Sequence, residues 1–129
     1  MNVLILLSMI FLHIVDDYYL QGILASMKQK DWWKENAPDP LYKHDYIVAL
    51  IEHAFSWTFM IMLPITVTMI IQNNYINTIY ITYFIMNWIL HTVIDHLKAN
   101  KKTINLVVDQ SCHILQIVVT WIALVYKIL

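Results

Sequence analysis

His91 and Asp95 in the stretch HTVID lie four residues apart, as do His13 and Asp17 in HIVDD and, in the opposite order, Asp109 and His113 in DQSCH. On a helix each pair shares one face. An imidazole beside a carboxylate can orient its neighbour, pass a proton or coordinate a metal ion, and neutral His with Asp is a common ligand set for divalent transition metals. A single such pair reads first as a hydrogen bond; three pairs ask for a shared site. With His53 added, the candidate ligands are His13, Asp17, His53, His91, Asp95, Asp109 and His113, seven donors in all. That number serves two ions if a carboxylate bridges them. Two divalent cations would also nearly neutralise the three Asp together with Glu52. Nitrogen and oxygen ligands without sulfur suit Zn, Mn or Fe. The paired Glu-x-x-His signature of di-iron bundles does not occur in the sequence.

The segments that carry these residues are strongly apolar. Of 129 residues 60% are hydrophobic and 13% charged, and the mean hydropathy is +0.58, outside the range of a water-soluble domain. Polar interruptions divide the chain into apolar segments at about 3–27, 45–72, 75–97 and 104–128, each able to cross a hydrocarbon core of about 30 Å as a helix. The expectation is an all-α, polytopic membrane four-helix bundle forming one domain over residues 1–129. The first segment has no basic leader, and His13, Asp16 and Asp17 interrupt its apolar run, so it reads as a retained helix rather than a signal peptide. Pro64 is placed to kink the second helix, Gln72-Asn73-Asn74 to turn the chain, and Gly22, near the end of the first helix, to allow close packing. Cys112 is the only cysteine, which excludes an internal disulfide and a thiolate zinc cage; it reads as a small buried residue. A net charge of −1 provides no basic field for nucleic acid.

Lysines lie in or beside the first connection, 28–44 (Lys28, Lys30, Lys34, Lys43), and the third (Lys98, Lys101, Lys102), with none in the second. Lys-rich short loops stay in the cytoplasm, so these two connections are expected inside and both termini outside a cell's inner membrane, with Lys127 the one dissenting charge. Counted from the lysines, the ionisable residues of all four segments fall in one layer roughly 5–20 Å below the cytoplasmic ends. Stripes such as Asn87, His91, Asp95 and Lys98, or Asn105, Asp109, His113, Gln116 and Thr120, must turn inward in lipid, because each unpaired Asp costs about 2.5–3.5 kcal/mol at a helix centre. Trp32, Trp33 and Tyr42 suit the headgroup layer, and the long first connection suits a lid. Asp16, His44, Asp45 and His96 are left outside the site.

HIVDDYYLQ, the His53 region, HTVIDHLK and DQSCH, in this order and over nearly the whole chain, resemble a family of small prokaryotic and phage membrane proteins of unassigned function. That family is in turn similar to membrane proteins described, by inference, as metal-dependent hydrolases. The resemblance implies a shared polar site of His13, Asp17, Gln21, His53, His91, Asp95, Lys98, Asp109, Gln110 and His113. Asp16 departs from the pattern, which has a neutral residue there, and leaves open which of the two acids faces the site. The expected function is a metal-dependent hydrolase acting on an amphipathic, lipid-like ester or phosphoester at the cytoplasmic leaflet. Asp or Glu52 would take a proton, and Lys98 and Gln21 would steady negative charge. The alternatives are a divalent-cation or proton transporter and a structural module whose polar layer pairs the helices.

Overall fold

The computed structural model describes residues 2–128, which are predominantly helical and contain no strand. Helix α1 (Asn2–Val15) runs on into a π-helical turn, Asp16–Leu20, followed by the short α2 (Leu24–Met27) and α3 (Lys30–Asn36) and a 3-10 turn, Pro40–Tyr42. Three long helices follow: α4 (Asp45–Ile71), α5 (Thr78–His96), which ends in a second π turn at Leu97–Lys101, and α6 (Leu106–Ile128). The stretches Asn2–Leu20, Pro40–Ile71 and Leu106–Tyr126 are long and apolar enough to cross a membrane. Their outer faces are apolar, with Leu7, Phe11, Phe59, Ile70, Leu115 and Ile122 all exposed. Helix α5 presents Ile81, Ile85 and Ile89 outward and buries Asn87, His91 and Asp95. Apolar residues outside and polar residues inside is the distribution that a hydrocarbon solvent selects.

The first segment departs from the single helix expected over 3–27. Gln21 donates its backbone N–H to Asp16 O at 3.1 Å, which closes the wider π turn, and Gly22 then adopts φ +49° and ends the helix. A Cβ on Gly22 would meet only Leu20 O, at 3.8 Å. The glycine is therefore there for its left-handed backbone and not for close packing. Gly22→Ala is expected to destabilise the protein by about 1–2 kcal/mol, the cost of a left-handed alanine, read as a lower thermal midpoint in detergent.

Asp16 and Asp17, at the start of this π turn, are consecutive and both buried.

The two lysine-bearing connections pack on each other at one end of the bundle. Asn100 accepts a hydrogen bond from the Lys30 backbone N–H at 2.7 Å and donates one to Lys28 O at 3.0 Å. Asp31 accepts from Lys34 and Lys102, each at 2.8 Å. Lys102 and Lys34 pull the Asp31 carboxyl down to about 2, so this clamp keeps its charge until pH falls toward that value. Trp33 anchors the lid by donating to Met27 O at 2.6 Å and stacking on Tyr42 at 6.5 Å. At the opposite end the interior is dry: Ile5 and Met9 of α1, Ile61, Met62, Ile65 and Met69 of α4, and Ile117, Leu124 and Val125 of α6 form one buried apolar cluster. Asn77 and Asn105 cap the starts of α5 and α6 through their side-chain oxygens. Cys112 is only half-buried.

Candidate metal centre

Between the dry half and the lysine end lies a buried polar layer to which all four long helices contribute. His13, Asp16, Asp17, His53, Asn87, His91, Asp95, Asp109, His113, Gln116 and Thr120 are each less than a tenth exposed. Spacing of four residues brings the pairs inward together because each helix buries one stripe.

Three imidazole nitrogens and the carboxylates converge at its centre. His53 Nε2 lies 3.2 Å from His91 Nε2, 3.2 Å from Asp95 Oδ2 and 3.4 Å from Asp17 Oδ1. His113 Nε2 lies 3.3 Å from Asp95 Oδ1 and 3.4 Å from Asp109 Oδ1. These separations lie at the long end of hydrogen-bond distances. They also fit the ligand–ligand edges of a coordination shell, about 3.4 Å in a tetrahedron and about 3.0 Å in an octahedron when each ligand sits about 2.1 Å from the ion. Two sets of three, Asp17 with His53 and His91, and His91 with Asp95 and His113, have donor atoms close enough to share an ion.

Hydrogen bonds further out settle which nitrogen faces inward. Asn87 Nδ2 donates to Thr120 Oγ1 at 2.7 Å, so Asn87 Oδ1 is left to accept from Gln116 Nε2 at 3.4 Å. Gln116 Oε1 therefore faces His113 Nδ1, at 3.2 Å, and holds the proton there. His113 Nε2 thus faces two carboxylate oxygens, a position that calls for positive charge, from a proton on the ring or from a cation between them.

His13 is placed differently. Trp57 Nε1 donates to its Nδ1 at 2.7 Å, and its Nε2 donates to Gln110 Oε1 at 3.1 Å. Both ring nitrogens are occupied, so within this network His13 positions other groups. Gln110 Nε2 passes the constraint on, donating to Asp17 Oδ2 at 3.1 Å and Asp109 Oδ2 at 3.0 Å.

Both adjacent acids are buried, and their partners distinguish them: Asp17 joins the His53 side of the cluster, whereas Asp16 accepts from Ser56 Oγ at 2.7 Å. Two expected catalytic groups move. Glu52 is exposed, because a helix that buries His53 turns the preceding side chain about 100° away. Gln21 donates its amide to the backbone carbonyl of Asp17, which occupies the donor expected to steady negative charge. Lys98 does reach the layer, with Nζ 2.6 Å from Asp109 Oδ2.

Two participants went unread in the sequence. Lys28 reaches down from the lid to within 2.6 Å of Asp95 Oδ2. Trp57 is fully buried under the cluster, its ring stacked on His91 with centroids 4.1 Å apart. Its position four residues after His53 was the available signal. Counting Asp16, Asp17, Asp95 and Asp109 against Lys28 and Lys98 leaves two negative charges when the imidazoles are neutral. One divalent ion balances that charge, and a second would exceed it.

Residues 5–128 match the model of the family described as Protein of unknown function (DUF3307). The chain belongs to this family. No curated protein and no solved structure matches it. Membership spans nearly the whole chain and includes every helix that contributes to the buried layer.

Proposed function

We propose that the chain is a four-helix integral membrane protein that holds one divalent cation, Zn, Mn or Fe, and hydrolyses an amphipathic ester or phosphoester at the cytoplasmic leaflet. The observation that carries the reading is the convergence of the His53, His91 and His113 Nε2 atoms on Asp17, Asp95 and Asp109 at coordination-edge distances. α5 is the fourth span, with its buried polar face on the shared layer and its apolar face in lipid. The lysines of connections 28–44 and 98–103 favour a cytoplasmic location for this end.

A divalent ion held there would supply Lewis acidity, polarising the carbonyl or phosphoryl oxygen of the group under attack and acidifying water. The chain does the rest. Asp17 Oδ1 and Asp109 Oδ1 are buried without a hydrogen-bond donor, and one of them takes the proton as the water oxygen bonds to the acyl carbon or phosphorus. The alcohol then leaves with that proton. Lys28 and Lys98, beside the carboxylates, steady the negative charge that develops.

The dry apolar half argues against a transport pathway, since Ile61, Ile65, Ile117 and Leu124 are fully buried where a second gate would need polar groups. Against a purely structural layer stand the buried His53 Nδ1, His91 Nδ1 and Asp109 Oδ1, none of which has a hydrogen-bond partner. In liposomes, the protein is expected to hydrolyse members of a panel of ester and phosphoester amphiphiles, to lose that activity on chelation and to regain it when metal is returned. A cysteine at position 74, in a Cys112→Ser background, should label only from the extracytoplasmic side. Metal-free protein, or cation flux that survives chelation without hydrolysis, would reject the reading.

A further inference from the structure

The cluster opens toward the lid through a cavity of about 350 Å³ whose wall includes Gln21, Lys28, Lys98 and Lys102, with Asp95 at its base. Three lysines around one small opening require partners. In the structure these are carboxylates: Asp95 for Lys28, Asp109 for Lys98 and Asp31 for Lys102. Two of them, Asp95 and Asp109, are oxygens that a cation at the cluster would claim. Metal and ammonium groups therefore compete for the same oxygens, and a bound cation draws Asp95 and Asp109 away from Lys28 and Lys98, leaving ammonium N–H donors at the mouth of the cavity for another partner.

We propose that this cavity is an anion site completed by metal binding, in which Lys28, Lys98 and Lys102 receive the phosphate group of a phosphoester. The inference rests on the metal-dependent reading above and narrows its substrate to a phosphate-bearing one. Lys28 comes from the lid, held by Asn100 through the backbone of Lys28 and Lys30, so the lid supplies part of the recognition as well as cover. The coupling is reciprocal: phosphate must tighten metal binding by the factor by which metal tightens phosphate.

Inorganic phosphate can be titrated calorimetrically into the protein in phosphatidylcholine nanodiscs, zinc-loaded or chelated, with zinc per chain measured on the same samples. Zinc is expected to tighten phosphate binding about tenfold or more, and Lys28→Gln to remove about that much, as lost charge-assisted hydrogen bonds imply. Lys28→Arg should retain binding. Lys102→Gln, which disturbs only an exposed pair, should weaken it with zinc content unchanged. Phosphatidic acid in the nanodisc should compete with inorganic phosphate if the group arrives on a lipid; binding without competition marks a water-borne phosphate, and either result supports the site. Zinc-loaded protein whose phosphate affinity equals that of chelated protein, or is indifferent to both Lys28→Gln and Lys102→Gln, overturns the anion site and leaves the metal centre standing. Failure to take up zinc, manganese or iron overturns both.

Discussion

Asp95→Asn protein is expected to fold with native helix content and to bind its metal about 10–100-fold more weakly, the usual effect of altering a ligand or its orienting partners. Asp95 is the residue on which the cluster turns: Oδ1 lies 3.3 Å from His113 Nε2, and Oδ2 lies 3.2 Å from His53 Nε2 and 2.6 Å from Lys28 Nζ. Asn has almost the same volume. Its amide nitrogen, however, is a donor that cannot ligate. Turned toward His113 Nε2 it donates to a neutral imidazole while the amide oxygen still accepts from Lys28 Nζ, so the packing and hydrogen bonds of the fold survive. What is lost is one carboxylate oxygen and one negative charge facing the three imidazoles. Elemental analysis and circular dichroism on one preparation check the claim. Full metal content in the folded variant would take Asp95 out of the ligand set.

Trp57→Ala is expected to be the most destabilising single truncation, at about 3–5 kcal/mol. Trp57 is fully buried, its ring lies 4.1 Å from that of His91 and 5.3 Å from that of His113, and its N–H fixes the tautomer of His13. Removing it opens a void beneath two imidazoles and leaves His13 Nδ1 without a donor. Trp57→Phe retains most of the packing and loses the N–H; it should cost about 1–3 kcal/mol, the penalty of one unsatisfied buried acceptor. Thermal midpoints in detergent separate the two, and metal content should fall further in the alanine variant because His91 loses its stacking partner. A Trp57→Ala midpoint no lower than that of Leu7→Ala, at an exposed position, would show that the ring supports nothing.

Much of the buried layer could be read along the chain. His13 and Asp17, His91 and Asp95, and Asp109 and His113 announce themselves because four-residue spacing maps one-to-one onto a helix face, and charge in an apolar segment has to turn inward. Asn87, Gln116 and Thr120 follow from the same periodicity, and all are buried. The reading failed where that rule no longer operates. Asp16 and Asp17 are both buried, so periodicity does not choose between them; their partners do, Asp17 lying against His53 and Asp16 accepting from Ser56. Glu52 adjoins a ligand candidate in sequence but is rotated away from it, and no count of ionisable groups reveals that.

What the sequence by itself determined is the apolar length of the segments, the helical periodicity and the inward stripes, since these depend on local composition and on a repeat of 3.6 residues. Only the tertiary structure decided which groups meet. Lys28 and Asp95 are 67 residues apart and His13 and Gln110 are 97 apart, and nothing local relates them. The folded chain brings a lysine of the first connection onto a buried carboxylate and occupies both nitrogens of His13. These follow from how helices are rotated and docked against one another, which is set by the packing of every side chain between them.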